Sequence, residues 1–297
     1  MRQNKTNKII TVTGANGYIG KHVVSTLLDL GVNVIAVDRV CDNIDHRAKF
    51  IPLDVLNHDD DIYSRLGQPD TCLHLAWNDS FMHNSDTHMK QVSKHYQFLK
   101  NLIDSGLTHL AVMGSMHEIG YYEGCADEKV LCQPVNLYGI AKNSLLRSLS
   151  VLAHEKNIIV QWLRAFYITG DDRYNHSIFT RIIQAVERSE SEFPLNSGKN
   201  KYDFIHIDDL ARMITASIIQ REVTGIINCC SGTPVSLSEK VEEFINNNKY
   251  NIKLKYGAYP DRPYDSPGIW GDNSKISDLM TRSEISYVNI HKPNLPG

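Results

Sequence analysis

The stretch from Lys8 to Asp38 restricts the fold of this chain more than any other segment. KIITVT (8–13) is an apolar run of strand length that leads directly into Thr13-Gly14-Ala15-Asn16-Gly17-Tyr18-Ile19-Gly20. Residues 18–30 then carry helical periodicity that stops near Gly31, and NVIAVD (33–38) is a second strand ending on Asp38, eighteen residues past Gly20. Glycines at this spacing let the chain turn tightly and let a pyrophosphate approach the backbone, while the helix N-terminus offers free N–H groups and the positive end of its dipole. An acid at the end of the second strand accepts hydrogen bonds from adenosine ribose hydroxyls and repels a 2′-phosphate. The pattern predicts a dinucleotide site in which Gly14, Asn16, Gly17, Tyr18, Ile19 and Gly20 form the pyrophosphate turn. Asp38 favours NAD(H), and Arg39, next in the chain and able to embrace a 2′-phosphate, leaves NADP(H) open.

Strand-like and helical segments keep alternating after this unit. TCLHLA (71–76), HLAVMG (109–114) and IIVQWLRAF (158–166) read as strands, with helical patterning at about 86–105 and 138–156 between them. Such alternation predicts an α/β fold, a Rossmann-type doubly wound parallel sheet with right-handed crossovers and helices on both faces. Past residue 167 the loops lengthen, and short strands (DFIHI, GIINCC) separate helical stretches at about 177–189, 208–221 and 236–247. The expected organisation is a Rossmann domain over 1–166 and a smaller, mostly C-terminal substrate lobe over 167–297, some of whose segments return to the sheet. Asp54 and Val55, after the apolar IPL, are placed to meet the adenine edge. Leu75, Ala76 and Trp77 end a strand where small residues let the cofactor lie across the sheet. Asp208 and Asp209 open a helix and read as its N-terminal cap and dipole partners.

Composition excludes several classes. A formal net charge of −3 gives no general basic footprint for nucleic acid. No apolar run approaches the roughly 18–20 residues that span a bilayer, and MRQNKTNKII lacks the apolar core of a secretory signal. A cytoplasmic location without membrane partners is the expectation. The six cysteines form no CxxC pair, and the 13 histidines form no HExxH, so no metal site is predicted and the cysteines read as reduced thiols.

Tyr-x-x-x-Lys on a helix places a phenol and an ammonium one turn apart on one face. With 14 tyrosines the motif arises readily by chance, and the chain has two matches, Tyr96/Lys100 and Tyr138/Lys142. Context separates them. Tyr138 opens a helix in PVNLYGIAK, and Ser115 lies 23 residues earlier, just past a strand; Tyr96 has no such serine upstream and reads as part of a structural pair. A phenol held beside an ammonium is a proton donor for a developing alkoxide, because the positive charge lowers the phenol pKa.

Taken in order, these segments resemble the extended short-chain dehydrogenase/reductase family, the branch of nucleotide-sugar epimerases, dehydratases and 4-ketoreductases. TGANGYIG matches its TGxxGxxG, Asp38, DV (54–55) and HLAW (74–77) match further cofactor elements, GSMHEIG (114–120) its serine turn, and PVNLYGIAK its Tyr/Lys helix. WLRAFYITG (162–170), YDFIHIDDLA (202–211) and NCCSGTPVSL (228–237) resemble later landmarks. The resemblance implies that Ser115 hydrogen-bonds the substrate oxygen, that Tyr138 exchanges its proton, and that Lys142 tunes Tyr138 and binds ribose. It implies a nucleoside-diphosphate sugar held between the lobes, with His117, Tyr167, Asn175, Arg212 and Arg262 as substrate candidates and Lys201, His176 and Tyr264 as further ones. A homodimer through the helices at 86–105 and 138–156 follows by the same analogy.

The departures narrow the reaction. Dehydratases follow the catalytic Ser/Thr with Asp-Glu, and here Met116 and His117 stand there. A family asparagine is replaced by Gln91. MHEIGYYEG is most similar to 4-ketoreductases that make 6-deoxyhexoses. The expected activity is NAD(P)H-dependent reduction of the C4 ketone of a nucleoside-diphosphate 4-keto-6-deoxyhexose. The alternatives are a 4-epimerase with tightly bound NAD and a non-catalytic NAD(P)-sensing regulator.

Overall fold

The computed structural model describes residues 8–58, 61–173, 175, 177–261 and 265–283. In chain order β1 (Ile9–Thr13), α1 (Tyr18–Asp29), β2 (Asn33–Asp38), β3 (Lys49–Pro52), α2 (Ile62–Arg65), β4 (Thr71–His74), α3 (Thr87–Asp104) and β5 (His109–Ser115) form the first half of the alternation. A short β6 (Gly124–Ala126) precedes α4 (Leu137–Lys156), β7 (Ile159–Ala165) and β8 (Tyr167–Thr169). There follow α5 (Ile178–Glu187), β9 (Glu192–Pro194), β10 (Lys201–His206), α6 (Ile207–Ile218), β11 (Gly225–Cys229), β12 (Pro234–Ser236), α7 (Leu237–Asn247), β13 (Lys253–Lys255), β14 (Gly268–Gly271) and α8 (Ser274–Arg282).

The main sheet has seven strands in the order β11-β7-β5-β4-β1-β2-β3, and every neighbouring pair is parallel. The doubly wound parallel sheet anticipated from the alternation is therefore the observed fold. From β1 the chain winds outward through β2 and β3, then returns to the other side of β1 for β4, so the crevice opens between the carboxyl ends of β1 and β4. Val23, Val24 and Leu27 of α1 pack with Leu210 and Ile214 of α6 on one face, against Val12 and Ala36. Phe98, Leu99 and Leu102 of α3 and Leu145 and Leu149 of α4 cover the other, against Val37, Leu110 and Trp162. Burial on both faces explains why these strands read as continuous apolar runs. The edge strand β3 is half-exposed and carries no such run, so it left no periodic signature.

The second sheet, β12-β10-β14-β6 with β8 also on β10, is built mostly from later residues. Later segments also return to the main sheet, α6 as its cover and β11 as a strand, and an earlier one leaves it. β11 joins the main sheet beside β7 (Ile226 opposite Trp162), and β6 pairs with β14 (Cys125 opposite Trp270). Asp203, fully buried on β10, fastens this layer. Its Oδ1 accepts from Ser231 N (2.8 Å) and Oγ (2.6 Å), and its Oδ2 from Gly232 N (2.9 Å) and Gly271 N (3.2 Å). At α6 the structure corrects the capping expectation. The N-cap is His206, whose Nδ1 accepts from Asp208 N at 3.3 Å, while Asp208 and Asp209 lie in the first turn beside the helix dipole.

The turn after β1 depends on glycine at two positions. Gly14 has φ +69°, and a Cβ there would lie 2.6 Å from Ala76 N. A Cβ on Gly20 would lie 2.1 Å from Gly14 O, so only a bare Cα lets α1 start against its own turn. Gly20→Ala is expected to destabilise the fold by about 1–3 kcal/mol, and denaturant unfolding measures it; an unchanged midpoint would show that the turn gives way freely.

Candidate active site

One cleft of about 1400 Å³ runs along the carboxyl ends of the strands. At its cofactor end lie Gly14, Asn16, Gly17, Tyr18, Ile19, Gly20, Asp38, Arg39, Asp54, Val55, Leu75, Ala76 and Trp77, so every residue expected there from the sequence lines it. No side chain caps α1 at Gly17, which leaves its first N–H groups available to an anion. The Asp38 carboxylate is fixed from both sides, Oδ2 accepting from Asn16 N (3.0 Å) and Oδ1 from Arg39 N (2.7 Å). Asn16 Oδ1 accepts in turn from Asn43 N (2.7 Å). Asp54 turns the chain after β3, accepting from Leu56 N (3.0 Å) and Asn57 Nδ2 (2.6 Å). An uncapped helix start, a glycine cradle and a fixed acid past β2 fit an adenine dinucleotide with free ribose hydroxyls.

At the other end of the cleft α4 brings Tyr138 and Lys142 to Ser115, the last residue of β5. Asn136 caps α4 through Oδ1, which accepts from Gly139 N (2.8 Å), so the helix begins where Tyr138 is needed. Lys142, 2% exposed, donates to Met113 O (2.8 Å) and lies 3.8 Å from the Trp77 ring centroid. Burial pulls its ammonium down to about 7, against a smaller upward pull from Glu118. Burial also pushes the Tyr138 phenol up, with a side-chain hydrogen bond to Ser115 acting downward and Glu118 upward. This revises the electrostatics expected for the pair. Desolvation dominates both groups, and Ser115 rather than Lys142 is the group that lowers the phenol here.

A belt of rings surrounds these groups. His83 and His117 lie 4.1 Å apart by centroid, His83 stacks on Tyr138 at 5.7 Å, and His117 is held down to about 3 by burial and by His83. Trp77 stacks on His95 at 4.3 Å, and His95 Nδ1 meets His74 Nε2 at 3.0 Å. Burial and the nearby Lys142 charge keep both imidazoles neutral, His95 near 3.

His117, Tyr167 and Asn175 line the cleft beyond Tyr138. Arg212 does not; it pairs with Asp209 one turn away on α6. Lys201, at the start of β10, is also outside the lining, and Arg262, His176 and Tyr264 lie outside the described residues. Gln91 accepts from Asn78 Nδ2 (2.9 Å). Lys100 is tied to Asp104, and Tyr96 packs on the apolar layer under α3, so that second Tyr/Lys match stays away from the cleft. The structure adds residues that the sequence did not single out: His83, His95, Arg181 and Glu118. For Glu118 a signal existed, since Ser-x-x-Glu is a capping-box spacing and Ser115–Glu118 forms that box. His83 and Arg181 carried none.

The chain belongs to the NAD dependent epimerase/dehydratase family, whose model matches residues 10–230. It is 44% identical over 267 residues to a dTDP-6-deoxy-L-talose 4-dehydrogenase (NAD(+)) of Aggregatibacter actinomycetemcomitans, covering 88% of this chain and 98% of that protein. Among solved structures it shares its fold with a UDP-N-acetylglucosamine 4-epimerase from Methanobrevibacter ruminantium (TM-score 0.81, 20% identity, 92% of each chain). A UDP-glucuronic acid 4-epimerase from Bacillus cereus, solved with UDP-glucuronic acid and NAD, superposes at TM-score 0.77 with 23% identity over 93% of each chain.

The buried lysine sets a signature in stability. Its pKa falls from 10.5 to about 7 on folding, so between those values the unfolded chain binds more protons and the Lys142 contribution improves as pH rises. Lys142→Met removes this dependence. Its melting temperature relative to the unsubstituted protein is expected to be most favourable near pH 6 and to decline toward roughly pH 10; a pH-independent difference would show that the lysine is charged throughout.

Proposed function

We propose that this protein is an NAD(H)-dependent oxidoreductase acting at C4 of a nucleoside-diphosphate 6-deoxyhexose, interconverting the 4-hydroxy and 4-keto sugars. The observation that carries the reading is the meeting of Ser115, Tyr138 and Lys142 at one end of a cleft whose other end is the glycine cradle. The 44% identity to a nucleotide-sugar 4-dehydrogenase supports it. When bound, the nicotinamide cofactor supplies or accepts the hydride at C4. Ser115 hydrogen-bonds the C4 oxygen and the phenol, Tyr138 gives its proton to that oxygen in reduction and takes it in oxidation, and Lys142 holds ribose. Elimination to a dehydrated sugar lacks its carboxylates. Met116 is buried, His117 is neutral, and Glu118 is turned away beneath the strand.

Asp38, held by two backbone amides, supports NAD(H) over NADP(H), because swinging away for a 2′-phosphate would break both bonds. In the substrate half of the cleft Tyr167 and Asn175 are placed to meet the sugar. Arg181 on α5, which extends over Phe193, is placed to meet the diphosphate. We assign nucleotide binding and chemistry to residues 1–166, substrate binding to 167–297 and the location to the cytoplasm. A homodimer through the outer faces of α3 and α4, where Met89 and Val151 are exposed, completes the reading.

Purified protein with NADH and a dTDP-4-keto-6-deoxyhexose is expected to oxidise NADH stoichiometrically with a two-hydrogen gain in sugar mass, and Tyr138→Phe to lose this turnover by about 10²–10⁴-fold. A C4-inverted product without net NADH oxidation would assign epimerisation instead, and nucleotide binding without turnover would assign sensing. For cofactor choice, Asp38→Ser is expected to weaken NADH binding and narrow its preference over NADPH, read by fluorescence titration; an unchanged ratio would remove Asp38 from that choice.

A further inference from the structure

Beneath Ser115 lies an ionic cluster that the reaction above does not use. Glu118 and Arg164 pair at 3.4 Å (Oε2 to Nη2), and both side chains are 0% exposed. The Glu118 carboxylate also accepts from Trp162 Nε1 through both oxygens (2.8 and 2.9 Å), and its Oε1 accepts from Ser115 N at 2.5 Å. Arg164 Nη2 reaches Cys132 Sγ at 3.6 Å, while its Nε and Nη1 have no hydrogen-bond partner among the described residues. The strand is shaped around this cluster. A Cβ on Gly114 would lie 2.2 Å from Trp162 Nε1 and 2.6 Å from Glu118 Oε1.

An incompletely satisfied ion pair is a poor source of stability, since well-packed apolar side chains of similar volume do as well or better. Its location is informative. Glu118 grips the amide of Ser115, while Lys142 grips the carbonyl of Met113 two residues earlier. The carboxylate and the ammonium thus hold the same end of β5. We propose that Glu118 is a positioning residue for the reaction: it fixes the Ser115 turn, sets the field at Lys142 and Tyr138, and has Arg164 as its counter-charge. This rests on the oxidoreductase reading for its kinetic consequences, but not for its effect on cofactor binding.

The groups that face Lys142 and Tyr138 are Glu118 from the turn after β5, His74 from β4, His95 from α3, and His83, His88 and His117 around the phenol. Asp54 acts on His95 and Arg164 on Glu118. Among them Glu118 is the carboxylate acting directly on both catalytic groups, and it raises both. Removing its charge therefore lowers the pH at which Lys142 gives up its proton.

The test is Glu118→Gln, alone and combined with Ser115→Ala. If Glu118 acts through Ser115, kcat falls by about tenfold or more with KM within about threefold. The substitution then adds no further loss to Ser115→Ala. Independently of turnover, the pH midpoint of NADH affinity moves to lower pH. A purely structural role lowers the melting temperature but leaves the midpoint in place, and its loss adds in full to Ser115→Ala; either result overturns the proposal. Should Glu118→Gln not fold, Trp162→Phe keeps the carboxylate, removes its indole donor, and must show the same non-additivity with Ser115→Ala. An unsubstituted protein inactive on every nucleotide sugar would sink the oxidoreductase reading, and the NADH midpoint alone would then decide the role of Glu118.

Discussion

The parallel pairing of β1 with β4 is the contact through which the rest of the site is assembled. It brings Thr13 level with His74, and Thr13 Oγ1 meets His74 Nδ1 at 2.8 Å. His74 Nε2 then meets His95 Nδ1, His95 stacks on Trp77, and Lys142 lies over the Trp77 ring. A switch in strand order is thus converted, through four side chains, into the position of the Lys142 ammonium. Each neutral imidazole has one donor and one acceptor nitrogen, so each bond in the chain fixes the tautomer for the next. Two buried hydrogen bonds followed by a ring stack and a cation–ring contact link the β1 end to Lys142.

The two ends of the cleft are held by different means. At the cofactor end backbone amides form the surface and the side chains bind the backbone, as Asp38 does with Asn16 and Arg39. The end at Tyr138 and Lys142 consists of buried side chains whose protonation is shifted mainly by desolvation. A lysine drawn down to about 7 and a phenol pushed upward are both biased toward neutrality by burial. The burial that shifts both comes from the packing of α3 and α4, through Phe98, Leu102, Leu145 and Leu149.

The parts legible in the sequence are those where local chemistry and fold agree. The glycine turn, Asp38 and the buried strands announce themselves because a parallel sheet needs apolar runs and a phosphate turn needs bare backbone. Tyr138 and Lys142 were separable from Tyr96 and Lys100 only through Ser115 and the place of their helix in the alternation. What was not legible depends on which face of an element meets which neighbour. Arg212 and Arg181 each lie in an amphipathic helix past residue 167, yet the first pairs with Asp209 and the second lines the cleft. His206 displaced the aspartates as the α6 cap because its ring reaches the second amide first. Short strands such as β6 and β8, three residues each, are created by their partners and have no periodicity of their own.

The segment after β8 is tied to the start of α1 by a small set of contacts. Tyr18 on α1 donates to Gly170 O (2.5 Å), and His22, one turn on, bridges Asp171 and Asp208 at 3.2 Å each. Against the lowering effect of burial these two carboxylates carry the His22 pKa upward, so the imidazole is drawn toward its charged form, which bonds both at once. The loop that follows β8 carries Asn175 into the cleft and is therefore positioned from the dinucleotide turn itself. The turn after β1 and the sheet are thus fixed together, while Asn175 and Arg181 reach the cleft from a loop and from α5. That division explains how 4-epimerases at 20% and 23% identity share the whole fold with this chain. The geometry they have in common is that of the sheet and its crevice, and a shared fold leaves open which side chains line the cleft.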